Sequence, residues 1–238
     1  MKADAIIFDK DGTLLEFDRF WVKVSIKAIE LVMKKLQVKE NLEDEILRAI
    51  GVNDGVCDVN SVLSKGTYFQ IGQEFCKVLN SHGYEFSLDL VTKEVINAYN
   101  ESQVVGEVVA TTQNLVGILK KLKEQGKRLA IVTTDNEHVT NVCLEKLGVY
   151  GLFDAIYTDD GKTPTKPNPS CAYAFCKKFN LSLEKVVMVG DTLTDVKFAQ
   201  NAGIKVIGLA KNEQNKKVLQ DRADVIINDL SALPEILG

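Results

Sequence analysis

Acidic residues follow two short apolar runs of this sequence in a pattern that could support chemistry. Asp9 and Asp11 follow one run, and Asp191 and Asp195 follow another. Paired carboxylates can serve as a nucleophile and as a general acid or base. Gly12 permits a backbone turn that would let Asp9 and Asp11 face the same crevice. Clustered carboxylates repel an anionic substrate, so this site should need a hard divalent cation, and Mg²⁺ is the expected cofactor.

Polar residues of other types complete the set. Thr133 and Thr134 follow a third apolar run, and Lys166 precedes a proline in a later loop. A threonine hydroxyl, a main-chain amide and a mobile ammonium are groups that bind oxyanions. Lys162 is a rival for the lysine role, because it lies in the same loop. Together these residues predict a site for an anionic, oxygen-rich group.

The elements that would position these residues are short β-branched runs alternating with amphipathic stretches. That alternation is typical of a parallel sheet covered by helices. In such a sheet, ligands bind at the carboxyl ends of the strands. The sequence therefore predicts an α/β fold, a Rossmann-like parallel sheet core with helices on both faces. Six strands are expected, over residues 4–8, 128–132, 154–158, 186–189, 206–209 and 225–227.

A long segment separates the first two predicted strands. A connection in a βα unit usually has roughly 2–6 residues on either side of its helix, whereas residues 16–109 intervene here without a convincing strand. Helical spacing of apolar residues recurs in this segment. We therefore predict a core domain of residues 1–15 and 110–238 and an inserted all-helical domain of residues 16–109. The helices expected in it cover residues 20–36, 42–50, 68–79 and 88–100.

The strand-end residues resemble the motifs of the haloacid dehalogenase (HAD) superfamily, in the family's order. They are Asp9-Lys10-Asp11-Gly12-Thr13, Thr133, the pair Lys166-Pro167, and Gly190-Asp191-Thr192-Leu193-Thr194-Asp195. The family's lysine precedes proline, which favours Lys166 over Lys162. The insert is similar to the family's C1 helical cap, and the whole chain is similar to phosphoglycolate phosphatases. The resemblance implies a Mg²⁺-dependent phosphatase that acts on small phosphorylated metabolites.

The chemistry of the carboxylates agrees with the roles that the resemblance implies. Asp9 would attack phosphorus and form an aspartyl-phosphate, and Asp11 would protonate the leaving oxygen and later deprotonate a water molecule. Asp9, the main-chain carbonyl of Asp11 and Asp191 are the expected metal ligands. Asp195 would support these ligands without binding the metal.

The phosphoryl group itself would be bound by Thr133, the amide of Thr134, and Lys166. Lys10 departs from the pattern, since many relatives have an apolar residue between the two aspartates. We expect its side chain to point away from the Asp9 carboxylate and not to stop catalysis. Substrate specificity should come from the helical insert, where residues 51–55 are the candidate loop. Arg48 and Lys65 flank that loop and are candidates to meet a second anionic group.

Composition argues against several other classes of protein and kinds of site. The net charge of −4 argues against a nucleic-acid surface, which is normally basic. No apolar run approaches the roughly 20 residues that cross a bilayer. The five cysteines never form a CxxC pair, so we expect reduced thiols in a cytoplasmic protein. The two histidines leave little for a zinc site or a catalytic triad.

Two alternatives stay open. One is a phosphomutase of the same family, although residues 15–20 lack the Thr and His that follow the first motif of the β-glucose-phosphate mutases. The other is a domain that binds phosphate, or signals with it, without turnover. Receiver domains also place acidic residues, a threonine and a lysine at strand ends, but they lack a large helical insert.

Overall fold

The computed structural model describes all 238 residues, which divide into two compact units. Strand β1 (Ala5–Phe8) opens the first unit. This core unit contains Met1–Glu16 and Val108–Gly238, and the second, the helical unit, contains Phe17–Glu107. The function of the helical unit as a cap stays a prediction.

The helical unit has five α-helices and one hairpin. They are α1 (Phe17–Lys35), α2 (Glu43–Ala49), β2 (Val52–Asn53), β3 (Val56–Cys57), α3 (Val62–Lys65), α4 (Tyr68–Ser81) and α5 (Leu88–Ser102). Helix α1 buries Phe20, Val24 and Ala28, which are four residues apart and therefore share one face. Tyr99 of α5 is fully buried and donates a hydrogen bond to Ser25 Oγ at 2.9 Å. The helical character predicted for this segment is confirmed.

The hairpin was not predicted. Val52 pairs with Cys57 and Asn53 with Val56 in antiparallel register. Between them, Asp54 and Gly55 both have positive φ, 49° and 77°. An Asp-Gly pair with this backbone is a favoured connection for a tight hairpin. The region expected to be a specificity loop is thus an ordered turn.

A six-stranded, fully parallel sheet forms the centre of the core unit, as predicted. After β1 come β4 (Arg128–Asn136), β5 (Ala155–Asp159), β6 (Val186–Gly190), β7 (Lys205–Leu209) and β8 (Val225–Ile227). Their spatial order is β5-β4-β1-β6-β7-β8. Phe8 lies in register with Ile131 of β4 and Val189 of β6. The chain builds outward from β1 on one side through β4 and β5, and on the other through β6 to β8. This reversal next to β1 is where open α/β sheets bind ligands.

Helices cover both faces of this sheet. They are α6 (Leu115–Glu124), α7 (Glu137–Lys146), α8 (Ser170–Phe179), α9 (Leu193–Ala202), α10 (Glu213–Leu219) and α11 (Leu233–Ile236). Successive side chains of β1 point to opposite faces of the sheet, so Ile6 and Phe8 pack in a buried cluster with α6 and α11. Ala5 and Ile7, on the other face, pack in a second cluster with α8 and α9. Strand β1 is therefore apolar at every position, as expected for a central parallel strand.

None of the helices combines the length and the apolar character that a bilayer span would require.

Candidate active site

Three carboxylates converge at the carboxyl ends of β1 and β6. The amide of Asp9 donates to Val189 O at 2.9 Å, which carries the pairing of these strands one residue beyond β1. One carboxylate oxygen each from Asp9, Asp191 and Asp195 lies within 4.8 Å of the others, and all three residues are buried. Residues that are far apart in the sequence therefore meet at one strand edge.

Lys166 lies inside this carboxylate cluster. Its Nζ is 2.5 Å from Asp9 Oδ1 and 2.6 Å from Asp195 Oδ1, and the side chain is only 4 % exposed. The rival Lys162 is exposed in the same loop. The second carboxylate oxygen of Asp9 accepts no hydrogen bond from the protein, so it is the oxygen left for other chemistry.

Asp195 holds the start of α9 as well as Lys166. Its Oδ2 accepts hydrogen bonds from the amide and the hydroxyl of Thr192, at 3.0 and 2.7 Å. A Cβ on Gly190 would lie 2.4 Å from the carboxylate carbon of Asp195, so only glycine allows this approach. Because both oxygens of Asp195 already have protein partners and its side chain is only 1 % exposed, its position suits a supporting role.

The turn after β1 brings Asp191 into place. Thr13 Oγ1 donates to Asp191 Oδ1 at 3.0 Å. Gly12 has a φ of +78°, and a Cβ there would lie 2.3 Å from Asp191 Oδ2. Any side chain at this position would therefore both strain the backbone and displace the carboxylate. The role of Thr13 was not foreseen, although it belongs to the motif.

The charges in this cluster do not balance. Three buried carboxylates face the single ammonium of Lys166, an excess of two negative charges. Burial raises the pKa of Asp9 to about 7, helped by the charges of Asp195 and Asp11 against the opposing charge of Lys166. Burial and the charge of Asp9 also raise the pKa of Asp191 well above its usual range. An excess of two negative charges, carried by oxygen ligands, fits a hard divalent cation.

A second buried lysine was missed as a site residue. Lys10 is fully buried, and its Nζ lies 2.7 Å from Asp11 Oδ2 and 3.1 Å from Asp135 Oδ2. Burial alone would lower the pKa of Lys10, but the charges of Asp11 and Asp135 raise it above its usual value. From the sequence we expect only that the Lys10 side chain points away from the Asp9 carboxylate, with no partner assigned to it. The available signal was its place between two aspartates, since a lysine is rarely buried unless it is paired.

The two predicted threonines lie near the end of β4, which extends to Asn136, four residues beyond its predicted end. Thr133 is buried, and its Oγ1 accepts a hydrogen bond from the Asp135 amide at 3.2 Å. Thr134 is exposed. Their contacts with a phosphoryl group stay predictions.

Comparison with known proteins identifies the family. A model of the haloacid dehalogenase-like hydrolase family matches residues 6–209. The chain is 27 % identical over 200 residues to a phosphoglycolate phosphatase of Aquifex aeolicus, covering 84 % of this chain and 81 % of that protein. It is 31 % identical over 239 residues to the pyrophosphatase PpaX of Bacillus velezensis, covering 100 % and 97 %.

A solved structure shows the same fold. It is described as a predicted phosphoglycolate phosphatase of Haemophilus somnus, with a TM-score of 0.73, 23 % identity, and coverage of 100 % of this chain and 99 % of that one. The family match spans most of the chain and includes Asp9, Lys166 and Asp191. This protein belongs to the haloacid dehalogenase-like hydrolase family.

Proposed function

We propose that this protein is a Mg²⁺-dependent phosphatase that hydrolyses small-molecule phosphate monoesters through an aspartyl-phosphate on Asp9. The observation that carries the proposal is the uncompensated carboxylate cluster around Lys166 at the edge of the sheet. An acidic site with one inward-facing ammonium suits a cation and a phosphoryl group together. A purely structural ion pair would have no need for the additional carboxylate of Asp191.

The metal site we propose consists of Asp9, Asp191 and the main-chain carbonyl of Asp11. Carboxylate and carbonyl oxygens are the donors that Mg²⁺ prefers. When bound, the cation would offset the excess negative charge and polarise the phosphoryl oxygens. Asp195 would act indirectly, since its oxygens already bind Lys166 and Thr192.

In the first step, a carboxylate oxygen of Asp9 attacks phosphorus. A bond forms between this oxygen and phosphorus while the bond from phosphorus to the ester oxygen breaks. Asp11 gives a proton to the departing oxygen, which leaves as an alcohol. Lys166, Thr133 and the Thr134 amide hold the phosphoryl oxygens while charge develops on them.

In the second step, water attacks the phosphorus of the aspartyl-phosphate. Asp11, now a carboxylate, takes a proton from the water, and the bond between phosphorus and Asp9 breaks. Inorganic phosphate leaves, and both carboxyl groups return to their starting states. The double use of Asp11 makes it as necessary to the second step as to the first.

The names of the relatives guide the choice of substrates. Phosphoglycolate phosphatases recur among them, so 2-phosphoglycolate is the first substrate to test. The Bacillus velezensis relative is named a pyrophosphatase, so inorganic pyrophosphate belongs in the same assay. We further propose that the helical unit selects the substrate, with the β2–β3 hairpin and its neighbours Arg48 and Lys65 contributing.

The test is a substrate panel with and without metal. It contains 2-phosphoglycolate, sugar phosphates, nucleotides, pyrophosphate and 4-nitrophenyl phosphate. Phosphate release should require Mg²⁺ and stop with a chelator. Isomerisation of a sugar phosphate without phosphate release would identify a mutase. Stable phosphorylation of Asp9 without turnover would favour the phosphate-binding alternative.

A further inference from the structure

Lys10 makes an unusual set of contacts for a residue between two active-site aspartates. Its side chain is 0 % exposed, so its charge must be balanced within the protein. The ammonium lies 2.7 Å from both carboxylate oxygens of Asp11, and 3.1 Å from Asp135 Oδ2. Asp11 is 16 % exposed at the side chain, and Asp135 only 7 %. Lys10 therefore joins a carboxylate that can reach solvent to one that is enclosed.

The backbone around Lys10 is also fixed. Its carbonyl accepts the amides of Leu14 at 2.8 Å and Leu15 at 3.2 Å, which closes the turn after β1. Within this turn, the Asp11 amide belongs to a constrained backbone, but the carboxylate can still rotate about two side-chain bonds. The two-oxygen contact with Lys10 restricts that rotation.

In this chain, the acidic groups around Asp11 favour such a restraint. Asp11 is close enough to Asp9 and Asp135 for its charge to act on both carboxyl groups. Without a cation beside it, the Asp11 carboxylate would be repelled from the other acidic groups and would turn toward solvent. An apolar residue in place of Lys10 could fill the space but could not offset this repulsion.

We propose that Lys10 is a positioning residue that holds the Asp11 carboxylate in place for proton transfer, with Asp135 anchoring the ammonium. This inference rests on the proposed phosphatase function. Lys10 keeps its proton in both steps, while Asp11 gives a proton to the leaving oxygen and later takes one from water. The aspartate named as acid and base thus depends on a lysine one residue before it.

The experiment compares the wild type with Lys10→Met on aryl phosphates of rising leaving-group pKa. The series is 2,4-dinitrophenyl, 4-nitrophenyl and phenyl phosphate. Proton donation matters most for phenyl phosphate, where we expect kcat/KM to fall about 100-fold. 2,4-Dinitrophenolate leaves without needing a proton, so kcat/KM for its ester should fall less than about 10-fold. The plot of rate against leaving-group pKa should therefore steepen.

A second measurement detects the slowed water step. Lys10→Met should release one equivalent of dinitrophenolate per active site in a rapid burst and then turn over slowly, because Asp11 is poorly placed to deprotonate water. The double variant Lys10→Met/Asp11→Asn should be no slower than Asp11→Asn alone, since the lysine acts only through the aspartate. Lys146→Met, exposed on α7, is the matched control and should behave as the wild type.

The outcomes separate the possible failures. An equal loss for all three esters without a burst would mean that Lys10 supports only the fold, and would overturn the inference. An unchanged or faster rate would also overturn it. Lys10→Met leaves the carboxylates of Asp11 and Asp135 without the Lys10 cation and could fail to fold. In that case the double variant Lys10→Met/Asp135→Asn, which removes one of these carboxylates, replaces Lys10→Met in the same series of esters. A wild type that hydrolyses no ester in the presence of Mg²⁺ would overturn the proposed function, and this inference with it.

Discussion

The core unit contains two buried lysines, each held between two carboxylates, and the two clusters differ in what surrounds them. Lys166 contacts Asp9 and Asp195, whereas Lys10 contacts Asp11 and Asp135. The Lys166 cluster has a further carboxylate, Asp191, within 4.8 Å, which leaves an excess of two negative charges. The Lys10 cluster has an excess of only one.

This difference in charge indicates different uses for the same kind of ion pair. An excess of two negative charges calls for a divalent cation or for protons. Burial, helped by the charges of Asp195 and Asp11, accordingly raises the pKa of Asp9 to about 7 despite the charge of Lys166. In the Lys10 cluster, the Asp11 side chain is 16 % exposed, as the proton exchange with substrate that we propose for it requires. The number of carboxylates around each lysine therefore agrees with the roles we propose, metal binding for the Lys166 cluster and proton transfer for the Lys10 cluster.

The largest effect should come from Asp9→Asn. An amide is a far weaker nucleophile than a carboxylate, and the neighbouring carboxylates of Asp191 and Asp195 have other roles in the proposed site. We expect kcat to fall on the order of 10⁴-fold or more, measured with whichever ester of the panel is turned over fastest. Glu145→Gln, the same chemical change at an exposed position of α7, is the control. A near-normal kcat for Asp9→Asn would disprove the covalent mechanism.

Lys166→Met should have the next largest effect. The change removes the only ammonium in contact with Asp9 and Asp195, which is also the group that we propose to stabilise the transferring phosphoryl. We expect kcat to fall about 100- to 1000-fold. Breaking a buried ion pair also costs roughly 3–5 kcal/mol of stability, so the melting temperature should fall.

Lys162→Met provides the comparison for Lys166→Met, because it removes the rival lysine of the same loop. Its kcat and melting temperature should match those of the wild type, since this side chain is exposed. If Lys162→Met lost more activity than Lys166→Met, the lysine assigned to the site would be the wrong one.

The Lys166 cluster could be predicted from the sequence, whereas the contact of Lys10 with Asp135 could not. Asp9 and Asp191 follow apolar runs, and parallel strands end at one edge, so their convergence follows from topology alone. The contact between Lys10 and Asp135 depends on β4 continuing to Asn136, past the apolar run that marked its predicted end at residue 132. The hairpin was missed for a related reason: strands of two residues show no periodicity.

Magnesium should stabilise the protein more at pH 8 than at pH 5. The raised pKa values of Asp9 and Asp191 mean that the folded, metal-free protein holds protons that the unfolded chain has lost. These groups therefore make folding less favourable as pH rises from about 4 through about 7. Magnesium needs the deprotonated carboxylates, so its effect grows over the same range.

The measurement is the shift in melting temperature on adding Mg²⁺, at matched ionic strength with NaCl. At 100 times the dissociation constant, a ligand adds about 2.7 kcal/mol to the free energy of unfolding. Asp191→Asn should reduce the shift at pH 8, because it removes a proposed ligand. An equal or smaller shift at pH 8 than at pH 5 would argue against a metal site made of these carboxylates.

The smallest effect should come from Asp135→Asn, which tests whether Lys10 needs its contact with Asp135 in order to hold the Asp11 carboxylate. Asp135 Oδ1 accepts the Asn136 amide at 2.9 Å, and an asparagine oxygen can keep that bond. Lys10 would lose one of its two carboxylates but keep the two-oxygen contact with Asp11. We therefore expect kcat/KM for phenyl phosphate to fall less than about 10-fold, against about 100-fold for Lys10→Met. Equal losses in the two variants would mean that the lysine cannot hold Asp11 without its anchor, and that the three residues act as one unit.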